Sequence, residues 1–277
     1  MRTIGPLALA LLLITSCGTQ HREPAAPPAV EPFVVGEIRT LHSDVLGQDR
    51  TLNIYLPVSY GDSTYAYPVV YLLDGSADED FPHIAGLVQF MNLYNLYPQS
   101  IVVGIANVDR KHDFTHVTQG DSDLVWLPTA GGSAAFMEFM AKEMQPFITE
   151  HYRTTDHRTL IGQSLGGLLA TEVLFKKPEL FDDYVIVSPS LWWDNGSLST
   201  QAETWAKANA TSPKRVFIAM ANNDDWSQVQ VDSVLAAFKR HTHPPFRWSY
   251  ELSPHETHAT ILHRAVYRGF EFLGTEQ

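Results

Sequence analysis

Cysteine is nearly absent from this chain, and its basic residues are outnumbered by its acidic ones. Of its 277 residues only one, Cys17, is cysteine, so no intrachain disulfide can form and the fold must be held by packing. Lysine and arginine number 19 against 31 acidic residues, for a formal charge of -12. With no basic stripe visible, the charge argues against nucleic acid or an anionic surface as a partner. The apolar run at residues 4–14 is too short to cross a bilayer. No internal repeat is present. What remains is a globular balance, 44% hydrophobic and 18% charged, in a chain long enough to bury a large core as a single α/β unit.

The N-terminus reads separately from the rest. Arg2 followed by the apolar run fits a secretory signal. Ile14-Thr15-Ser16-Cys17 resembles a bacterial lipobox, in which the cysteine is lipidated before cleavage. A lone thiol in an oxidising compartment is a liability, which favours lipidation of Cys17 over an incidental cysteine. Gly18 and Thr19 follow with no Asp at the second position. For a two-membrane host this implies an outer-membrane lipoprotein facing the periplasm, firmly held because several acyl chains anchor better than one. Residues 18–32 are rich in Pro, Ala and Glu without periodicity, an extended tether. The expected organisation is a leader at 1–16, a lipidated cysteine and tether at 17–32, and a folded domain at 33–277.

Within that domain, β-type alternation over 33–42 and 50–56 suggests an antiparallel hairpin. Continuous apolar runs at 68–73 and 100–105 read as strands covered on both faces by helices, 184–187 as another buried strand, and 214–220 as the strand that follows it. A last strand is expected at 246–252. Helical spacing marks 84–95, 133–152 with Ser133 as N-cap, 227–240 and 261–272. Strands alternating with helices over short connections predict a mostly parallel central sheet with helices on both faces. Residues 107–132 form a long loop with little regular signal, leaving the carboxyl end of a strand where such sheets bind ligands.

Gly162-Gln163-Ser164-Leu165-Gly166 carries the chemistry. It lies between a short β-branched run and a stretch of helical spacing that Pro178 closes. Strand, G-x-S-x-G and helix in that order form the nucleophile elbow of an α/β-hydrolase. The glycines leave room for a sharp turn that holds the Ser164 hydroxyl proud of the helix N-terminus. A serine hydroxyl needs a base, normally histidine, oriented by a carboxylate. In this fold the order is Ser, acid, His. Asn222-Asn223-Asp224-Asp225 ends the 214–220 strand, and Asp224 is the preferred acid, with Asp225 or a Ser-His dyad as the alternatives. His258 directly precedes the last helix and is the preferred base; His255 is read as a solvated loop residue. His255-Glu256-Thr257-His258 lacks the H-E-x-x-H spacing that puts two histidines on one helix face, so no metal and no cofactor are expected. Backbone N–H groups of Leu165 and of Ser76, in Asp74-Gly75-Ser76, are the expected oxyanion donors.

Together these residues resemble the esterase family of α/β-hydrolases that includes enterochelin and other siderophore esterases, feruloyl esterases, S-formylglutathione hydrolase and mycolyltransferases. The resemblance also rests on Leu72-Leu73-Asp74-Gly75, on the stretch from Asn107 to Thr115, and on Ser188-Pro189-Ser190-Leu191-Trp192-Trp193. It implies Ser164 as nucleophile, His258 as base, and Ser76 with Leu165 as the oxyanion hole. Asp224 is similar to the acid of feruloyl esterases, although the siderophore branch often departs from a standard acid here. Trp126, Trp192, Trp193 and Trp226 fall on loops above the sheet edge, where aromatics could stack planar acyl or catechol groups or simply pack. Arg110 is read as a ligand for an anionic substrate group or as a bridge to Asp109 or Asp113. The expected activity is hydrolysis of a small-molecule ester through an acyl-enzyme, siderophore-type among the options. An acyltransferase with the same residues, a feruloyl or acetyl carbohydrate esterase, and a non-catalytic binding lipoprotein are the alternatives. The oligomeric state is left open.

Overall fold

The computed structural model describes residues 30–274. The expected leader, Cys17 and most of the tether lie outside the described residues. The chain divides into two units, Met1–Phe33 and Val34–Gln277, and the fold is that of the second.

Its centre is a sheet of eight strands among the described residues, in the order β1-β2-β4-β3-β5-β6-β7-β8. They are β1 (Glu37–Ser43), β2 (Gln48–Tyr55), β3 (Tyr67–Leu72), β4 (Ile101–Ile105), β5 (Thr154–Gln163), β6 (Asp183–Val187), β7 (Arg215–Ala221) and β8 (Arg247–Ser253). β1 and β2 form the antiparallel hairpin expected at the N-terminal end, and β2 also runs antiparallel to β4. Every other pairing is parallel.

The side-chain period of two sorts each strand between two cores. Leu52, Tyr71, Val103, Leu160, Ile186 and Ile218 face one, with the helices Leu165–Lys176 and Asp225–His241. Val70, Val102, Ile161, Val185 and Phe217 face the other, with Phe81–Leu93 and Ile261–Gly274. β4 and β6 are buried at every position, which is why they read as unbroken apolar runs. The helix Leu165–Lys176 is buried from Leu165 to Leu174, so it lacks the polar face of a surface helix.

Two expectations change. The helix expected at 133–152 is broken by a π turn at Met140–Met144 between Ser133–Phe139 and Gln145–His151. Pro146 follows and has no N–H to donate backward, so the wider turn frees a bond that could not have formed. Gly132, not Ser133, caps the first segment. Ser133 is instead the first helical residue, with its hydroxyl buried and without a hydrogen-bond partner. The 107–132 loop also contains two short helices, Arg110–Asp113 and Asp121–Trp126.

Candidate active site

Strand order brings the candidate residues together. The segments after β3, β4, β5, β7 and β8 all leave the sheet at its carboxyl edge, where α/β folds build their sites. Asp74, Arg110, Ser164 and His258, from four of those segments, line one cavity of about 430 Å³ together with Glu79, Asp80, Gln163 and Ala259.

Ser164 sits at the elbow between β5 and the helix that begins at Leu165, with φ 59° and ψ -120°, a left-handed conformation that costs a non-glycine residue on the order of 1–3 kcal/mol. Neighbouring backbone holds it there. Its N–H donates to the Val187 carbonyl at 3.0 Å, and its carbonyl accepts from Leu168 at 2.9 Å and Ser190 at 3.0 Å. Gly162 is required by close approach: a Cβ there would lie 2.3 Å from the Gly166 carbonyl oxygen. The Ser164 hydroxyl lies 3.4 Å from that of Ser190.

His258 occupies the turn before the helix Ile261–Gly274. Its Nδ1 is 2.9 Å from Asp224 Oδ1, and the Asp224 side chain is 1% exposed. A carboxylate accepts at Nδ1, so the proton belongs on that nitrogen and Nε2 keeps its lone pair. The backbone is tied down too. The His258 N–H donates to Asn223 Oδ1 at 3.0 Å, and the Gln163 side-chain amide donates to the His258 carbonyl. The Trp226 ring stands edge-on to the imidazole at 5.4 Å. Asp224 also accepts from the Ala221 N–H at 3.3 Å. Asp225 is exposed at the first position of its helix, and His255 is exposed in its turn. The geometry thus pairs His258 with Asp224 and leaves both alternatives in solvent.

Arg110 departs from expectation. It bridges to neither Asp109 nor Asp113. Its Nε and Nη2 form a two-pronged pair with Asp74 at 2.6 and 2.9 Å, and Nη2 also reaches the Gln163 carbonyl at 3.3 Å. Asp74 takes a further bond from Asn107 at 2.8 Å and has φ 55°. A fixed guanidinium therefore lines the same cavity as Ser164. Ser76 lies in the loop between two cavity residues, Asp74 and Glu79, and Leu165 opens the elbow helix.

The paired tryptophans are corrected. Trp193 is 0% exposed and belongs to the core, its indole N–H donating to the His116 carbonyl at 2.9 Å. Trp192 packs against the same core. Neither lines the Ser164 cavity. Trp226, at 49% exposed, is the tryptophan beside the imidazole. Sequence reasoning singled out neither Ser190 as a neighbour of the Ser164 hydroxyl nor Glu79 and Asp80 as cavity residues. Among the described residues, no group of three or more His, Cys, Asp or Glu is placed to hold a metal.

Residues 43–269 match the model of the Esterase family, described as Putative esterase, and the chain belongs to that family of carboxylic ester hydrolases. Among solved structures it is similar to an IroE-like serine hydrolase from Shewanella oneidensis, with 32% identity and a TM-score of 0.76 over 86% of this chain and 79% of that one. It is 25% identical over 206 residues to the ferri-bacillibactin esterase BesA of Bacillus subtilis (strain 168), covering 67% of this chain and 68% of that protein. It is 29% identical over 127 residues to the siderophore triacetylfusarinine C esterase of Aspergillus fumigatus, covering 45% of this chain but 38% of that longer protein.

Proposed function

We propose that this chain hydrolyses siderophore-type carboxylic esters, with Ser164 as nucleophile, His258 as general base and Asp224 as the orienting acid. The observation that carries the reading is the contact at 2.9 Å between buried Asp224 and His258, which lines one cavity with Ser164. Asp224 fixes the tautomer, so Nε2 takes the Ser164 proton as the hydroxyl attacks the ester carbonyl. The carbonyl oxygen gains negative charge. Backbone N–H groups of Leu165 and Ser76 stabilise it. His258 then returns the proton to the leaving alcohol, and an acyl group stays on Ser164. Water, deprotonated by the same imidazole, releases the acid and restores the enzyme. The siderophore class is supported by the names of the relatives above.

The test is turnover of a panel of p-nitrophenyl esters and a siderophore trilactone by the wild type and Ser164→Ala. The variant is expected to lose activity by about 10⁴-fold or more. Equal rates would end the proposal. The reading of Cys17 as a lipid-anchored residue on the periplasmic face of the outer membrane is part of the same proposal. Mass spectrometry of the mature N-terminus should find a diacylglyceryl and acyl adduct on Cys17; an unmodified N-terminus further along the chain contradicts it.

A further inference from the structure

The two N–H groups assigned to the oxyanion hole come from different parts of the chain. Leu165 opens the elbow helix, and Ser76 follows Asp74 and Gly75 in the loop after β3. Backbone pins that loop on its inner side. The Gly75 N–H donates to the Ile105 carbonyl at 3.0 Å, and the Gly75 carbonyl accepts from the buried Asn53 amide at 2.7 Å. A Cβ on Gly75 would lie 2.4 Å from Gly104 Cα, so only glycine lets the loop pass this close to β4. The Ser76 N–H has no acceptor among the described residues.

Arg110 ties this loop to the elbow. Its Nε and Nη2 hold both oxygens of Asp74, and Nη2 also donates at 3.3 Å to the carbonyl of Gln163, the residue before Ser164. Asn107, from the same segment after β4, adds its own bond to Asp74. The Asp74 carboxylate in turn leans on the elbow helix, since a Cβ on Gly166 would lie 3.3 Å from its Oδ2. Asp74 is left-handed, with φ 55°, and a non-glycine residue keeps that conformation only where its surroundings hold it. The Gln163 side chain donates to the His258 carbonyl, so the clamp reaches the turn that carries the base. The far end of the short Arg110–Asp113 helix is anchored by the buried pair of Asp113 with Arg50.

Resting on the esterase reading above, we propose that Arg110 is a positioning residue: through Asp74 and the Gln163 carbonyl it sets the spacing between the N–H groups of Ser76 and Leu165. It acts on the oxyanion hole, whatever charge the substrate carries. A guanidinium suits this task because its planar fork meets two carboxylate oxygens at once and still aims an N–H at a third acceptor. The ammonium of a lysine is a single point and cannot span the two partners in the same way. Oxyanion donors serve only within hydrogen-bond reach of the developing charge, and a displacement of about 1 Å is worth on the order of a hundredfold in rate.

Two acetate esters of different charge provide the test, neutral p-nitrophenyl acetate and anionic 4-acetoxybenzenesulfonate, assayed with the wild type, Arg110→Lys and Asp74→Asn. On both esters each variant is expected to lose about a hundredfold in kcat, with KM changed by less than about threefold. Phenylboronic acid, which forms a tetrahedral adduct on the serine oxygen, should bind each variant more weakly by a similar factor. The double variant should lose no more than either single one, to within about threefold, because all three break the same clamp. A loss confined to the sulfonate and carried by KM makes Arg110 a substrate ligand and overturns the inference. Wild-type rates on both esters, or losses that multiply in the double variant, overturn it too. Thermal melts establish that each variant is folded, and Asp74→Asn, which keeps the shape of the side chain, carries the test if Arg110→Lys does not fold. Ser164→Ala reports separately on the esterase reading. If it matches the wild type on p-nitrophenyl acetate, that reading fails and the inference fails with it; if it is inactive while Arg110→Lys and Asp74→Asn are unimpaired, the inference alone fails.

Discussion

At the residue scale, the most consequential contact joins two side chains that are 34 positions apart, His258 and Asp224. Asp224→Asn keeps the shape but supplies an N–H where His258 needs an acceptor, favouring the wrong tautomer. Its kcat should fall by about 10³–10⁴-fold with KM little changed, measured on a p-nitrophenyl ester; unaltered kcat would leave a Ser-His dyad as the mechanism. Asp80 yields a prediction about stability. Its folded pKa, about 6, is raised above the ordinary 3.8, so the folded protein prefers the neutral acid. The stability Asp80 contributes is full below the unfolded pKa and is lost as pH rises through about 6. At pH 7.5 the buried charge is a cost, and Asp80→Asn should relieve it by about 1 kcal/mol after allowance for part exposure. Thermal melts should show the variant's advantage at pH 7.5 shrinking below pH 6 and vanishing near pH 4. A constant difference across that range would contradict the assignment.

At the scale of elements, the elbow and the long loop after β4 carry the site. Gly162 faces backbone on the far side of the turn, so a methyl group can be accommodated only by opening the elbow. Gly162→Ala should cost a few kcal/mol and most of the activity, read by denaturant melts and ester turnover. The loop is anchored by an ion pair sealed inside the protein: Arg50 Nη1 and Asp113 Oδ2 are 2.8 Å apart, with side chains 0% and 1% exposed. The Arg50 guanidinium also lies 5.1 Å from the Phe136 ring centre. Asp113→Ala leaves that cation buried without its partner, and about 3–5 kcal/mol of stability should go with it. A melt indistinguishable from wild type would show that the anchor lies elsewhere. The elbow was legible in sequence because turn, glycines and nucleophile are contiguous. The Arg110–Asp74 pair was not. It spans 36 positions and exists because β4 lies beside β3, which sets the loop after one strand against the loop after the other. Asp109 and Asp113 are nearer in sequence, but Asp109 instead caps the short helix and Asp113 turns inward to Arg50.

At the scale of the molecule, the parallel order could be read in advance because β4 and the 184–187 run of β6 are apolar, and both strands are buried at every position, as two covered faces demand. The substrate side was harder to read. Tryptophans look alike in sequence whether they serve the core or the rim. Trp193 fills the core at 0% exposure and Trp226 stands at the site at 49%, a distinction that packing alone makes.

The most direct measurement of the central claim is peptide mass spectrometry after labelling with a fluorophosphonate, which reacts only with a serine activated as a nucleophile. One adduct on the peptide that contains Ser164, forming at least a hundredfold more slowly in His258→Ala, is the predicted result. A Ser164 left unlabelled while the folded wild type still hydrolyses esters, or labelling that ignores the loss of His258, would contradict it.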